Sequence, residues 1–403
     1  MFSQHLAPRR TARSWFHLPA GGALLGAASV LVLGACTGQI GQPTLDPGLQ
    51  LPGTPAGSSA DGGPGADGGS GDGGLLDGGR PDSGAPDGGA SGSDAGTSTG
   101  DRFPASATIY QDISGAPLDP GSPGIIAHLA DAGWGSGAMQ IDFSFDVLHA
   151  DGSVQPRPFT PAAGYYSPDC DQVPVPVPPG GATEGSSSYA CDATRNDCHL
   201  LVYQGRRLYE LYQANIAGGL ANGSPFTTVC AVVWDLDRDY WQPGTPYSRG
   251  DQCTSADAAG LPIASLLVTG AELQAGLVPH ALRFILPNLR MAADVFVHPA
   301  THAGSPSGDE MYPPYGARFR LRPSFDLSRL PNAAARAVAV ALQRYGMILA
   351  DGGNIPLTMD RSAATYLGPR DLALLQVSDF EMVAAPSGRI PLTYDCTRTP
   401  VTQ

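Results

Sequence analysis

Gln140-Ile141-Asp142-Phe143-Ser144-Phe145-Asp146-Val147-Leu148 decides the fold class. Successive side chains of an extended chain alternate between faces, so Ile141, Phe143, Phe145 and Val147 point one way and Asp142, Ser144 and Asp146 the other. The stretch reads as a half-buried strand. The same alternation recurs in Thr228 to Leu236, His280 to Leu286, Asp294 to His298 and Ala317 to Arg322. Connections between them are rich in Pro and Gly, as in Val173 to Gly181, which reads as an extended loop. Many short strands of this kind predict a mainly β fold, an antiparallel, jelly-roll-like β-sandwich with one or two helices. The marked helix opens at Pro331-Asn332, carries Val338, Leu342, Tyr345 and Leu349 on its apolar stripe, and closes at Gly352-Gly353. A weaker helical pattern covers Arg207 to Ile216.

Working outward to the amino terminus, Arg9, Arg10 and Arg13 precede the apolar run Gly21 to Val32, the layout of an export signal. Leu33-Gly34-Ala35-Cys36 follows and resembles the bacterial lipobox. That resemblance implies diacylglyceryl attachment to the Cys36 thiol, cleavage before it and acylation of the new amino terminus. Two or three acyl chains, at about 0.8 kcal/mol per buried methylene, form a stable membrane anchor. The expected location is therefore the cell envelope. Thr37, where inner-membrane retention favours Asp, points to the outer membrane or cell surface. Residues 37–102 are dominated by Gly, Asp, Ser and Pro, with Asp-Gly-Gly at Asp61, Asp67, Asp72, Asp77 and Asp87. Such a composition buries too little apolar surface to order itself and reads as a disordered tether. Residues 103–403 are then expected to form a single β-rich globular domain.

Removing the tether's −7 and the signal's +3 from the chain's −14 leaves −10 on that domain. An acidic domain argues against nucleic acid as a partner, since phosphate contacts need clustered basic charge. The chain contains no lysine, which excludes a P-loop, a lysine Schiff base and a lysine general base. With Cys36 lipidated, Cys170, Cys191, Cys198, Cys230, Cys253 and Cys396 remain. An even count in an oxidising compartment predicts up to three disulfides, with Cys230 to Cys253 preferred and one bridge within Cys170 to Cys198. The competing metal site at Cys191, Cys198 and His199 fits no common zinc spacing.

From about residue 109 the chain resembles a group of secreted, mostly bacterial proteins of unassigned function. The resemblance rests on Gln111 to Pro117 (QDISGAP), Thr254 to Ile263 (TSADAAGLPI), His280 to Phe284 (HALRF), Pro299 to His302 (PATH) and Arg344 to Asp351 (RYGMILAD). It implies one domain and transfers no activity.

Candidate chemistry centres on carboxylates, because residues 103–403 contain neither a Gly-x-Ser-x-Gly elbow nor a His-Glu-x-x-His helix. Asp351, placed at a helix C-terminus against the negative end of the dipole, needs a partner, with His302 or His280 as candidates. Asp257, Glu184, Glu210 and Glu381 are further candidates for the paired acids of glycoside hydrolysis. His302 follows a short loop where a fold can present it, while His280 is expected to face the core. For lyase chemistry, His302 or Tyr345 would abstract the proton and Arg283 or Arg320 would neutralise a uronate. Arg318, Arg320 and Arg322 share one strand face, where pairing with an acidic stripe at Asp142 and Asp146 competes with glycan binding. Tyr240 and Trp241 could stack on sugar rings or fill the core. Asp235, Asp237 and Asp239 faintly suggest calcium, but the turn glycine is missing; otherwise no metal or cofactor is implied. The expected function is a surface-tethered polysaccharide hydrolase or lyase, the alternative being a non-catalytic lipoprotein that binds a glycan or a protein.

Overall fold

A computed structural model describes residues 101–221, 223–242 and 247–402. Residues 1–100, where the export signal, the lipidated Cys36 and most of the tether are expected, lie outside the described residues. Two larger sheets are built from β1 (Ile141–Phe145), β2 (Val147–His149), β3 (Leu200–Gln204), β4 (Arg207–Tyr212), β5 (Cys230–Asp235), β6 (Leu282–Leu286), β7 (Arg318–Leu321), β8 (Met347–Gly352), β9 (Leu357–Asp360) and β10 (Phe380–Val383). The α-helices among the described residues are α1 (Ser122–Ala132), α2 (Gly270–Ala275) and α3 (Ala333–Arg344). Shorter strands form small additional sheets, so the fold is mainly β.

The larger sheet has the order β1-β9-β6-β8-β7-β10. It is mixed: β1 runs parallel to β9 and β6 to β8, while the other neighbours are antiparallel. This corrects the expectation of purely antiparallel pairing. Side-chain alternation is the same for either direction, whereas a parallel pair requires a crossover, supplied here by the chain through β7 and α3. Every residue of β6 is buried, as suits a central strand covered on both faces. The second sheet has the order β5-β4-β3-β2. Leu201, Tyr203, Leu208, Tyr212, Val232 and Trp234 on one face join the main core, which also holds Ile141, Phe145, Phe284 and Leu286 from the larger sheet. Leu200, Val202, Tyr209, Leu211, Ala231 and Val233 on the other face join a smaller cluster around Val175, Ile216 and Phe226.

The opening stretch turns out to serve both sheets. At Asp146 the chain leaves the larger sheet and continues as β2 in the smaller one, and the Val147 amide donates to Asp360 Oδ2 at 2.9 Å just past the switch. All five alternating segments contain strands at the expected places, although Asp294 to His298 keeps only Val295–Phe296.

Both helix expectations need correction. Asn332 caps α3 by accepting from the Ala335 amide at 2.8 Å, but the helix stops at Arg344. Gly346 has φ +70°, and a Cβ there would lie 2.4 Å from the Phe319 carbonyl oxygen, so the residue turns the chain from α3 into β8. Leu349 and Asp351 are strand residues. Arg207 to Ile216 is not helical either: β3 and β4 form a hairpin joined by Gly205-Arg206, with Gln204 opposite Arg207.

Three disulfides are present: Cys170 with Cys230, Cys191 with Cys198, and Cys253 with Cys396. The bridge within Cys170 to Cys198 is as expected, whereas Cys230 to Cys253 is not formed. The segment Tyr166 to Asp171 runs beside β5, with the Tyr166 and Asp171 amides bonded to the Val229 and Ala231 carbonyls, and this places Cys170 against Cys230.

Candidate functional site

Four neighbouring strands of the larger sheet lay a polar row across one face. Asp142 of β1 lies in register with Thr358 of β9, the Thr358 hydroxyl lies 3.3 Å from Arg283 Nη1 of β6, and Arg283 Nη2 reaches Asp351 Oδ2 of β8 at 2.7 Å. The last contact depends on an irregularity in β8. Arg283 pairs with Ile348, and strict alternation from there would send Asp351 to the opposite face. A register shift between Phe284 and Ile285 skips Ala350 and sets Asp351 opposite Ile285, on the face of Arg283. Bulges re-aim side chains in this way.

Arg283 is fully buried and holds a second carboxylate. Its Nε and Nη2 lie 2.9 and 2.8 Å from Asp257 Oδ1. Burial opposes the charge, but Asp257 and Asp351 hold the guanidinium above its ordinary pKa. Asp257 sits in the turn Thr254 to Gly260, where its Oδ2 also accepts from the Ala259 amide. Burial raises its pKa to about 6, with Arg283 pulling it down and Asp351 pushing it up.

A histidine completes the cluster. The Glu184 amide donates to the His199 carbonyl and the Gly185 amide to the Ser144 carbonyl, so this loop ties β1 to the chain entering β3. His199 Nδ1 lies 2.6 Å from Glu184 Oε2, and Nε2 lies 2.9 Å from the Ala256 carbonyl oxygen. Both partners are acceptors, so both ring nitrogens carry hydrogen and His199 is an imidazolium. Burial works against that charge, but Glu184 and then Asp197 raise its pKa to about 9. Glu184 is correspondingly held low despite its burial.

Above the cluster opens a small cleft of about 20 Å³, room for about one water molecule, lined by Asp197, His199, Asp351, Tyr166 and Tyr212 and by the segment Thr254 to Ala256. Asp197 is half-buried, and its pKa is raised to about 6 by burial, with His199 lowering it and Asp351 and Glu184 raising it. Asp351 retains 21% side-chain exposure, and its Oδ1 accepts from the Gly352 amide at 2.7 Å. Two carboxyl groups in different surroundings thus border one opening.

Among the residues proposed from sequence, Asp351, Asp257, Glu184 and Arg283 converge here. Asp351 has the partner it was expected to need, but that partner is Arg283 rather than a histidine, and the helix-dipole argument lapses because Asp351 lies on a strand. His280 lies elsewhere, buried as expected, 3.2 Å from Glu272. His302 hydrogen-bonds through Nδ1 to the Ala258 carbonyl at 2.9 Å, and burial lowers its pKa. Tyr345 is buried at the end of α3, under the Arg344 guanidinium. Arg320 is buried, bound to Glu381 and to the Ile113, Ser114 and Ala116 carbonyls. Of the arginine stripe, Arg320 and Arg322 pair with Glu381, in place of Asp142 and Asp146, while Arg318 bonds the Thr108, Gln111 and Tyr345 carbonyls. Glu210 is enclosed between Trp234 Nε1 and the Ala264 amide, each at 2.8 Å, and burial raises its pKa to about 7.

Tyr240 and Trp241 are buried in a cluster of edge-to-face rings with Phe103, which matches the core alternative of the two readings left open by the sequence. His298 pairs with Asp251 and stacks on Tyr247. Among the described residues no group of three or more His, Cys, Asp or Glu is arranged to hold a metal ion. Asp197 and the charged role of His199 were missed from sequence. The available signal was Asn196-Asp197-Cys198-His199, titratable residues on both sides of a bridged cysteine. No family model, curated protein or solved structure matches the chain.

Proposed function

We propose that this chain is a surface-tethered, glycan-active hydrolase, anchored through Cys36, in which Asp351 and Asp197 are the paired carboxyl groups. The observation that carries this is their position on one cleft in different surroundings. Asp351 accepts from Arg283 and from the Gly352 amide, an arrangement that suits a base or nucleophile. Asp197, with its pKa raised to about 6, keeps a proton further toward neutral pH than an ordinary aspartate. Acid and base roles follow from such a separation. Asp197 protonates the glycosidic oxygen as its bond to the anomeric carbon breaks. Asp351 takes a proton from the attacking water, or attacks the anomeric carbon itself before water releases the sugar.

Hydrolysis is preferred to the lyase alternative because the arginines suited to a uronate are engaged by protein carboxylates, Arg283 by Asp257 and Asp351, and Arg320 by Glu381. The substrate of this reading is an uncharged glycan. The expected jelly-roll-like sandwich belongs to the same proposal, supported by the apolar cluster that draws on both larger sheets.

A panel of neutral and uronate-containing polysaccharides tests it. New reducing ends from a neutral member, without unsaturated uronate products, are the expected result. Unsaturated products would replace hydrolysis by elimination. Binding without turnover would replace it by a non-catalytic glycan-binding role.

A further inference from the structure

A second cavity, of about 320 Å³, shares none of the residues that line the cleft. It lies toward the other end of β3: the cleft touches His199 before that strand and the cavity touches Tyr203 near its end, about 13 Å along an extended chain. One wall is aromatic. The His149 ring stacks on Tyr203 with centroids 5.4 Å apart and planes at 22°, and His149 Nε2 lies 3.0 Å from Asp101 Oδ2. The ring is therefore fixed while its side chain stays 60% exposed. Beneath it the Tyr203 hydroxyl lies 3.3 Å from Ser265 Oγ.

The polar lining is balanced in charge. Asp101, Glu272 and Asp360 supply carboxylates, while Arg102, His149 and His280 supply groups that are cationic or readily become so. Glu272 and His280 neutralise each other at 3.2 Å, and Asp101 and His149 at 3.0 Å. A charged ligand would therefore meet no net field of opposite sign. An aromatic face beside hydroxyl and carboxylate hydrogen-bonding groups instead matches a pyranose, which offers an apolar C–H face and a rim of hydroxyls. We propose that this cavity is a separate binding site for an uncharged, monosaccharide-sized sugar, with His149 as its platform and Ser265 and Tyr203 as hydroxyl partners. It does not depend on whether the cleft is catalytic.

The test is saturation-transfer NMR and calorimetry on the purified protein with glucose, galactose, mannose, xylose and N-acetylglucosamine, and with glucuronate and glucosamine as charged controls. At least one neutral sugar is expected to bind saturably and more tightly than either control. His149→Ala, at a largely exposed side chain, should weaken that binding about tenfold, the equivalent of one good contact, with an unchanged thermal midpoint, and Ser265→Ala should weaken it similarly while retaining a cooperative unfolding transition. Asp197→Asn should leave it intact. Failure of every neutral sugar to bind, wild-type affinity in both cavity variants, or loss of binding in Asp197→Asn alone would each overturn the proposal, the last by moving the site to the cleft.

Discussion

Replacing Asp197 by Asn is expected to stabilise the fold above pH 6 while removing turnover. Burial among Asp351 and Glu184 raises the Asp197 pKa from its ordinary 3.8 to about 6. At about 1.4 kcal/mol per pH unit, that difference corresponds to about 3 kcal/mol by which the fold disfavours the ionised form. The side chain borders an open cleft, so solvent screening reduces the stabilisation to about 1–2 kcal/mol. The sign follows from the raised value. Below pH 4 Asp197 is protonated in both folded and unfolded chains and the variant gains nothing. Between about 4 and 6 the unfolded chain ionises first, so the wild type loses stability relative to Asn. Above about 6 the difference is constant. Urea unfolding of wild type and Asp197→Asn at pH 4, 5, 6 and 7.5, alongside circular dichroism of the folded forms, measures it. Equal stability at pH 7.5, or a gain that persists unchanged at pH 4, would refute the electrostatic account of this site.

Asp351→Asn should lower hydrolysis by about 10²–10⁴-fold, the usual contribution of a positioned acid-base group, and wild-type rates should fall as pH rises through about 6 where Asp197 loses its proton; a pH–rate profile checks both. Arg283→Met leaves Asp257 buried beside Asp351 without its cation and should cost about 3–5 kcal/mol in chemical denaturation at pH 7, less near pH 5 where Asp257 takes up a proton. Cys253 and Cys396 are separated by 143 residues, and opening that bridge with paired serines should cost about 4–5 kcal/mol; Cys191 and Cys198 are separated by 7, and the same change there should cost about 2 kcal/mol. Comparing the two serine pairs by urea unfolding tests the order.

The strands were legible in the sequence because alternation is local: one face of β1, β5, β6 and β7 had to be apolar whatever its neighbours were. Two readings failed where a single residue outweighed a periodic pattern. Val338 to Leu349 keeps a helical repeat of apolar residues, yet Gly346 ends the helix midway. Arg207 to Ile216 has apolar spacing that fits helix or strand, and Gly205-Arg206 was the hairpin signal that decides between them. Tyr240 and Trp241 could not be assigned from sequence, since an aromatic ring serves a core or a ligand equally well until its neighbours are known. The same holds for Arg320, whose carbonyl partners at Ile113 to Ala116 are some two hundred residues away in the chain.

The sequence by itself determined that this is a mainly β protein whose six cysteines from Cys170 to Cys396 can form three bridges, and it named Asp257, Arg283 and Asp351 from separate motifs. Only the tertiary structure decided that these three share one salt-bridged cluster and that Asp197 joins Asp351 at the cleft. The reason is physical. Periodicity and composition act within a few residues, whereas this cluster depends on a parallel crossover between β6 and β8, a one-residue bulge at Ala350 and a seven-residue disulfide loop, none of which leaves a periodic trace.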